Sequence, residues 1–186
     1  MCGIIGYAGH RPAVPVLIEG LRRLEYRGYD SAGLAFIQQK MLQVIRSEGK
    51  LAELENKVAK TDVGQATSGV GHTRWATHGL PVERNAHPHM DNSGRLALVH
   101  NGIIENYQEL RSELKNKGHE FSSETDTEVL VHLIAEGLKQ TGELLEAMSW
   151  AFKRVDGAYA VAIVDNDNPG VLYAARSSSP LVFGQG

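Results

Sequence analysis

The stretches of this sequence that read as strands fall into two groups with helices between them, and that order limits the folds open to the chain. The first group holds residues 3–8, a hairpin of Ala32 to Ile37 and Met41 to Arg46 around Gln38-Gln39-Lys40, and residues 69–77 running into a loop. It is interrupted by a predicted helix at about 13–25, with Leu17, Leu21 and Leu24 on one face, and by a short one marked by Leu51, Leu54 and Val58. Arg95 to Asn101 alternates Leu96, Leu98 and His100 against Ala97, Val99 and Asn101, which predicts a strand ending at Gly102. Helices follow at 105–117, at 126–139 behind a Thr125-x-x-Glu128 capping box, and at about 143–155. Ala158 to Asp165 and Val171 to Arg176 close the order as a hairpin across Asn166 to Gly170. Such an arrangement favours antiparallel sheets with helices packed on them over a doubly wound parallel sheet. Two stretches stand outside it. Residues 78–94 form a Pro/Asn/His-rich connection too long for a simple turn. Leu181-Val182-Phe183 reads as one more strand, and the end at Gly186 reads as a cut inside a longer polypeptide.

With 186 residues, 42% of them hydrophobic, the chain can bury a core without metals or disulfides, and its single cysteine, Cys2, excludes an internal disulfide. One free thiol points to a reducing compartment. A formal charge of -3 lacks the footprint of a nucleic-acid or anionic-membrane binder, and the longest strongly apolar run, Ala158 to Val164, is far short of the roughly 20 residues a membrane helix needs. No basic segment precedes the apolar residues after Met1, so a signal peptide is not expected and the cytoplasm is the expected location.

Four groups of residues could carry chemistry. A lone cysteine is ordinarily a small buried hydrophobe, but at position 2 it would carry both a thiol and a free α-amine once Met1 is removed, placing nucleophile and base on one residue. In His72-Thr73-Arg74-Trp75-Ala76-Thr77-His78-Gly79, Arg74 could grip a carboxylate with its planar fork; a surface salt bridge for Arg74 and a core role for Trp75 are equally consistent. Asn101-Gly102 offers a side-chain amide beside a glycine N–H, the composition of an oxyanion hole, and is also the commonest turn pair. Asp126, near a helix start, could pair with an ammonium group or belong only to the cap. Five of the eight histidines lie between positions 72 and 100, and His87-x-His89 raises a metallohydrolase reading that lacks a third ligand at a recognisable spacing.

Taken together, these segments resemble the class II, N-terminal nucleophile glutamine amidotransferases. The blocks that carry the likeness are Met1 to Gly6, Leu21 to Gly33, His72 to Gly79, Asn85 to His89, Val99 to Asn106, Glu124 to Glu128 and Ala174 to Leu181. Glu25-Tyr26, Tyr29 and Trp75-Ala76 set the chain apart from the amidophosphoribosyltransferase branch and nearer the members whose C-terminal sugar-isomerase domains pass ammonia to fructose 6-phosphate. The resemblance implies an αββα sandwich of two mainly antiparallel sheets, with residues 1–186 as a single glutaminase domain. It implies hydrolysis of L-glutamine through a Cys2 thioester, with Asn101 and the Gly102 N–H as oxyanion hole. Arg74, Thr77 and His78 would hold the α-carboxylate, Asp126 the α-ammonium, and Trp75 a lid. No cofactor or metal is expected, and the full-length enzyme is expected to be a homo-oligomer. A non-catalytic glutamine-binding domain is the alternative if Met1 is retained.

Overall fold

The computed structural model describes residues 2–76 and 79–185, and places them in four layers. The first sheet has the order β1-β4-β2-β3, built from β1 (Gly3–Ala8), β2 (Ser31–Gln38), β3 (Met41–Glu48) and β4 (Ser68–Arg74). The second has the order β5-β6-β7-β8, from β5 (His89–Met90), β6 (Leu96–Ile104), β7 (Gly157–Asp165) and β8 (Leu172–Ser177). Every pairing within both sheets is antiparallel. Helices α1 (Ala13–Leu24) and α2 (Leu51–Val58) cover the outer face of the first sheet; α3 (Tyr107–Asn116), α4 (Thr127–Thr141) and α5 (Leu144–Phe152) cover that of the second.

The layering follows from period-two alternation of side-chain size. Leu34 and Phe36 point to α1 and α2, while Ala35 and Ile37 between them face the other sheet. On β6, Leu96 and Leu98 meet the helices and Ala97 and Val99 face inward; on β7, Val161 and Ile163 pack outward and Ala162 and Val164 inward. The bulky positions therefore meet helices and the smaller ones fill the layer between the sheets. Leu17 and Leu21 are fully buried, as their helical spacing predicts. The mixed α and β content in four layers is the expected αββα sandwich.

Three sequence expectations need correction. The strand read as ending at Gly102 continues to Ile104, with Asn101 opposite Ala160 and Gly102 opposite Tyr159 in the β6–β7 ladder. Asn101-Gly102 is therefore no turn. The long-range ladder overrides the local turn signal, and Gly102 is required because its φ is 138° and an added Cβ would lie 1.9 Å from the Ala158 carbonyl oxygen. The 78–94 connection is ordered in its described part: it makes a 3-10 turn at Glu83–Asn85 and the strand β5, and Asn85, His87 and His89 are buried. Finally, Leu181 to Phe183 forms no strand; Val182 is 90% and Phe183 77% exposed.

The capping box is half made. Thr125 Oγ1 accepts the Glu128 N–H at 3.3 Å, but the Glu128 carboxylate reaches past Thr125 to the N–H groups of Ser122 at 2.8 Å and Ser123 at 2.7 Å, and to both serine hydroxyls. These bonds and His132 hold its carboxyl well below the usual range although burial pushes the other way.

Candidate active site

A cavity of about 570 Å³, within the ~300–1,000 Å³ span of small-molecule sites, opens where the two sheets meet at one end of the sandwich. Cys2, Arg74, Trp75, Asn101, Gly102 and Asp126 all line it. Strand parity explains how residues so far apart in sequence converge. On β4, His72 and Arg74 share the inward face of Val70; on β6, Asn101 shares that of Ala97 and Val99. His100 points the other way, toward the start of α4, where its Nδ1 lies 2.8 Å from Thr127 Oγ1. The β6 end therefore presents one face to the first sheet and the other to the Asp126 turn.

Cys2 precedes β1, whose first residue Gly3 pairs with Thr73, so the thiol is set beside the end of β4. The Trp75 N–H donates to Cys2 Sγ at 3.2 Å, and the thiol lies 3.7 Å from the Trp75 carbonyl oxygen. The Asn101 Nδ2 group donates to the Cys2 carbonyl oxygen at 3.3 Å, long for an N–H···O bond, and its Oδ1 lies 2.8 Å from His72 Nε2. Arg74 is 4% exposed; its guanidinium donates to the carbonyls of Gly79 and Leu80, both at 3.4 Å. Burial lowers its pKa, and the charges of Asp30, Cys2 and Asp126 act in the opposite sense. Asp126 is also 4% exposed, and one carboxylate oxygen accepts the Ile104 N–H at 2.9 Å. Trp75 is 54% exposed, with its ring so close over Gly28 that an added Cβ there would sit 2.8 Å from it. Thr77 and His78, the two remaining candidates, lie outside the described residues.

Two residues missed in the sequence organise this site. Asp30 Oδ2 accepts the Ala76 N–H at 2.6 Å and the Asp30 N–H donates to the Arg74 carbonyl at 2.8 Å, so Asp30 clamps the segment carrying Arg74 and Trp75 on both sides. His72 contacts Asn101 from the opposite sheet. Both residues stand inside blocks that carried the family likeness, but nothing local marks their partners.

Buried histidines run from His72, between the sheets, through His87 to His89 beside the turn before α4. The rings of His72 and His87 are 4.2 Å apart and those of His87 and His89 5.0 Å, and His89 Nε2 lies 3.0 Å from Thr125 Oγ1. Burial holds His72 and His89 neutral, with pKa values pushed down to about 3, and drives His87 and His100 down as well. Among the described residues no three His, Cys, Asp or Glu side chains converge as metal ligands. The His87 ring lies tilted against that of His72 and edge-on to that of His89.

The model of the glutamine amidotransferase domain family matches residues 72–185, more than half of the chain. The chain belongs to that family. Its glutamine amidotransferase fold also has curated relatives along its whole length: it is 55% identical over 186 residues to a glutamine–fructose-6-phosphate aminotransferase of Thermus thermophilus, and 56% identical over 189 residues to that of Bacteroides thetaiotaomicron. All of this chain is covered but only 30% of each relative, so the chain spans under a third of the length of these two curated relatives. Among solved structures, the glutamine phosphoribosylpyrophosphate amidotransferase of B. subtilis superposes with a TM-score of 0.71 over 89% of this chain and 35% of its own, at 29% identity. No helix among the described residues is long and apolar enough to cross a membrane.

Proposed function

We propose that this amidotransferase domain hydrolyses L-glutamine to L-glutamate and ammonia through a thioester on Cys2. The observation that carries the reading is the convergence on one cavity of a thiol, a buried cation, a buried anion and a neutral amide beside a glycine, drawn from separate elements. Glutamine is a zwitterion with a neutral amide at its far end. Arg74 matches its α-carboxylate, Asp126 its α-ammonium, and the Asn101 amide with the Gly102 N–H the oxyanion that forms at the amide carbon. Thr77 and His78 are proposed to help Arg74.

In the first step Cys2 Sγ forms a bond to the amide carbon, its proton passing to the α-amine that removal of Met1 would free. The tetrahedral oxyanion collapses, the carbon–nitrogen bond breaks, and the α-ammonium returns the proton to the leaving ammonia. Water then attacks the thioester by the same route, releasing glutamate and the thiol. Asn101 must exchange its 3.3 Å bond to the Cys2 carbonyl for the oxyanion, a change favoured because hydrogen bonds to a charged oxygen are about twice as strong as neutral ones. Trp75 would cover the cavity and limit entry of water.

Residues 1–186 are proposed as one glutaminase unit within a longer protein whose sugar-isomerase part takes the ammonia to fructose 6-phosphate; the relatives, named glutamine–fructose-6-phosphate aminotransferases and covered to 30% by this chain, support that reading. The separated chain is expected to release ammonia from glutamine and to form no glucosamine 6-phosphate when given fructose 6-phosphate; product analysis checks both. An electrophilic glutamine analogue should label Cys2 at one equivalent, and Cys2→Ala should abolish labelling and ammonia release together. Ammonia release that survives Cys2→Ala overturns the reading.

A further inference from the structure

We infer that His72 is a positioning residue for the oxyanion hole: its Nε2–H donates across the sheet interface to Asn101 Oδ1 and so turns the amide NH2 toward the reacting carbon. This deepens the glutaminase reading and rests on it.

The amide of Asn101 has two orientations, and only one presents a donor to Cys2. The two contacts select it independently. On one side the Cys2 carbonyl oxygen, an obligate acceptor, lies 3.3 Å from Nδ2; on the other His72 Nε2 lies 2.8 Å from Oδ1. An acceptor at Oδ1 requires a proton on Nε2, so the neutral His72 ring carries its proton there and leaves Nδ1 without one. The two residues belong to different sheets: His72 lies on β4 opposite Ile4 and Gly33, Asn101 on β6 opposite Ala160. The bond therefore joins the strand that supplies Arg74 to the strand that supplies the oxyanion donors.

The ring is held by its surroundings: it is fully buried, and the His87 ring lies tilted against it with centroids 4.2 Å apart. Val70 on the strand of His72, and Ala97 and Val99 on that of Asn101, are apolar neighbours on the same strand faces, so the bond between the two side chains is a polar contact at the edge of an apolar cluster. The side chain touches Asn101 without lining the cavity, so its effect on turnover runs through the amide.

The test uses His72→Leu, which removes the donor, and His72→Gln, whose side-chain NH2 can occupy roughly the place of Nε2. Ammonia release by His72→Leu should show kcat lowered about 10- to 100-fold, the scale of a misaimed oxyanion donor and less than the roughly 100- to 1,000-fold of a missing one, with KM within about threefold. His72→Gln should recover most of kcat. Asn101→Ala combined with His72→Leu should be no slower than Asn101→Ala alone. A folded His72→Leu with kcat within about twofold of the unaltered chain, or a further loss in the Asn101→Ala background as large as the loss in the unaltered one, overturns the proposal. Where His72→Leu does not fold, ¹⁵N spectroscopy of the unaltered chain decides: the Nε2–H tautomer supports the assignment and the Nδ1–H tautomer overturns it. That measurement needs no turnover, so it is separate from the glutaminase reading, which fails if the unaltered chain releases no ammonia.

Discussion

Arg74 and Asp126, a cation and an anion each 4% exposed, line the same cavity. A buried charge is tolerated only with partners, and both make backbone hydrogen bonds, Arg74 to the Gly79 and Leu80 carbonyls and Asp126 from the Ile104 N–H. Arg74→Lys keeps the charge and loses the planar fork. It should raise the KM for glutamine about 10- to 100-fold, the cost of about 1.5–3 kcal/mol for a charged hydrogen bond, while the rate of Cys2 alkylation by a small neutral reagent stays unchanged. Steady-state kinetics and alkylation rates check the two halves of that statement. At this scale the sequence was informative wherever a residue's chemistry announces itself: Cys2, Arg74, Asn101, Gly102 and Asp126 all meet at the cavity. Asp30 and His72 escaped because their roles lie in partners 46 and 29 positions away, and no spacing rule links them.

Among the elements, the segment from Asn85 to His89 behaves least as its composition suggests. It is polar, histidine-rich and without apolar periodicity, yet it is buried, with the His87 carbonyl so near Gly33 of the first sheet that an added Cβ there would come within 2.2 Å. The helices and most strands are legible because their apolar periodicity is local, whereas the burial of this segment and the passage of β6 through Gly102 are decided by distant strands. Buried neutral histidines make stability depend on pH. In the unfolded chain His72 and His89 would take up protons as the pH falls through about 6.5, but buried they do so only near 3. The unfolded state thus binds more protons between those values, so their contribution is complete above about 6.5 and drains away as the pH falls toward 3. Between pH 7 and 5 the two together should cost about 4 kcal/mol, or roughly 10 °C in Tm. Glu136, held down to about 2 chiefly by its bond with Lys139, adds its loss only below about 4.5 and leaves the higher window to the histidines. Thermal melts should show a smaller pH 7-to-5 drop in His89→Gln than in the unaltered chain; an equal drop contradicts this account.

For the molecule as a whole, two sheets with small residues between them bring the N-terminal thiol, the end of β4 and the end of β6 to one place. The alternation of strands and helices made the antiparallel layers legible, but which strand neighbours which, and hence which candidates share a cavity, depends on pairings such as β1 with β4 that cross the sequence. The central claim joins that architecture to one reactive atom whose base must be its own α-amine. Intact-mass measurement before and after treatment with an electrophilic glutamine analogue tests it most directly. The account predicts that the chain able to release ammonia lacks Met1 and gains one equivalent of label, localised to Cys2. A chain that retains Met1 and still turns over glutamine, or label found on any other residue, would contradict it.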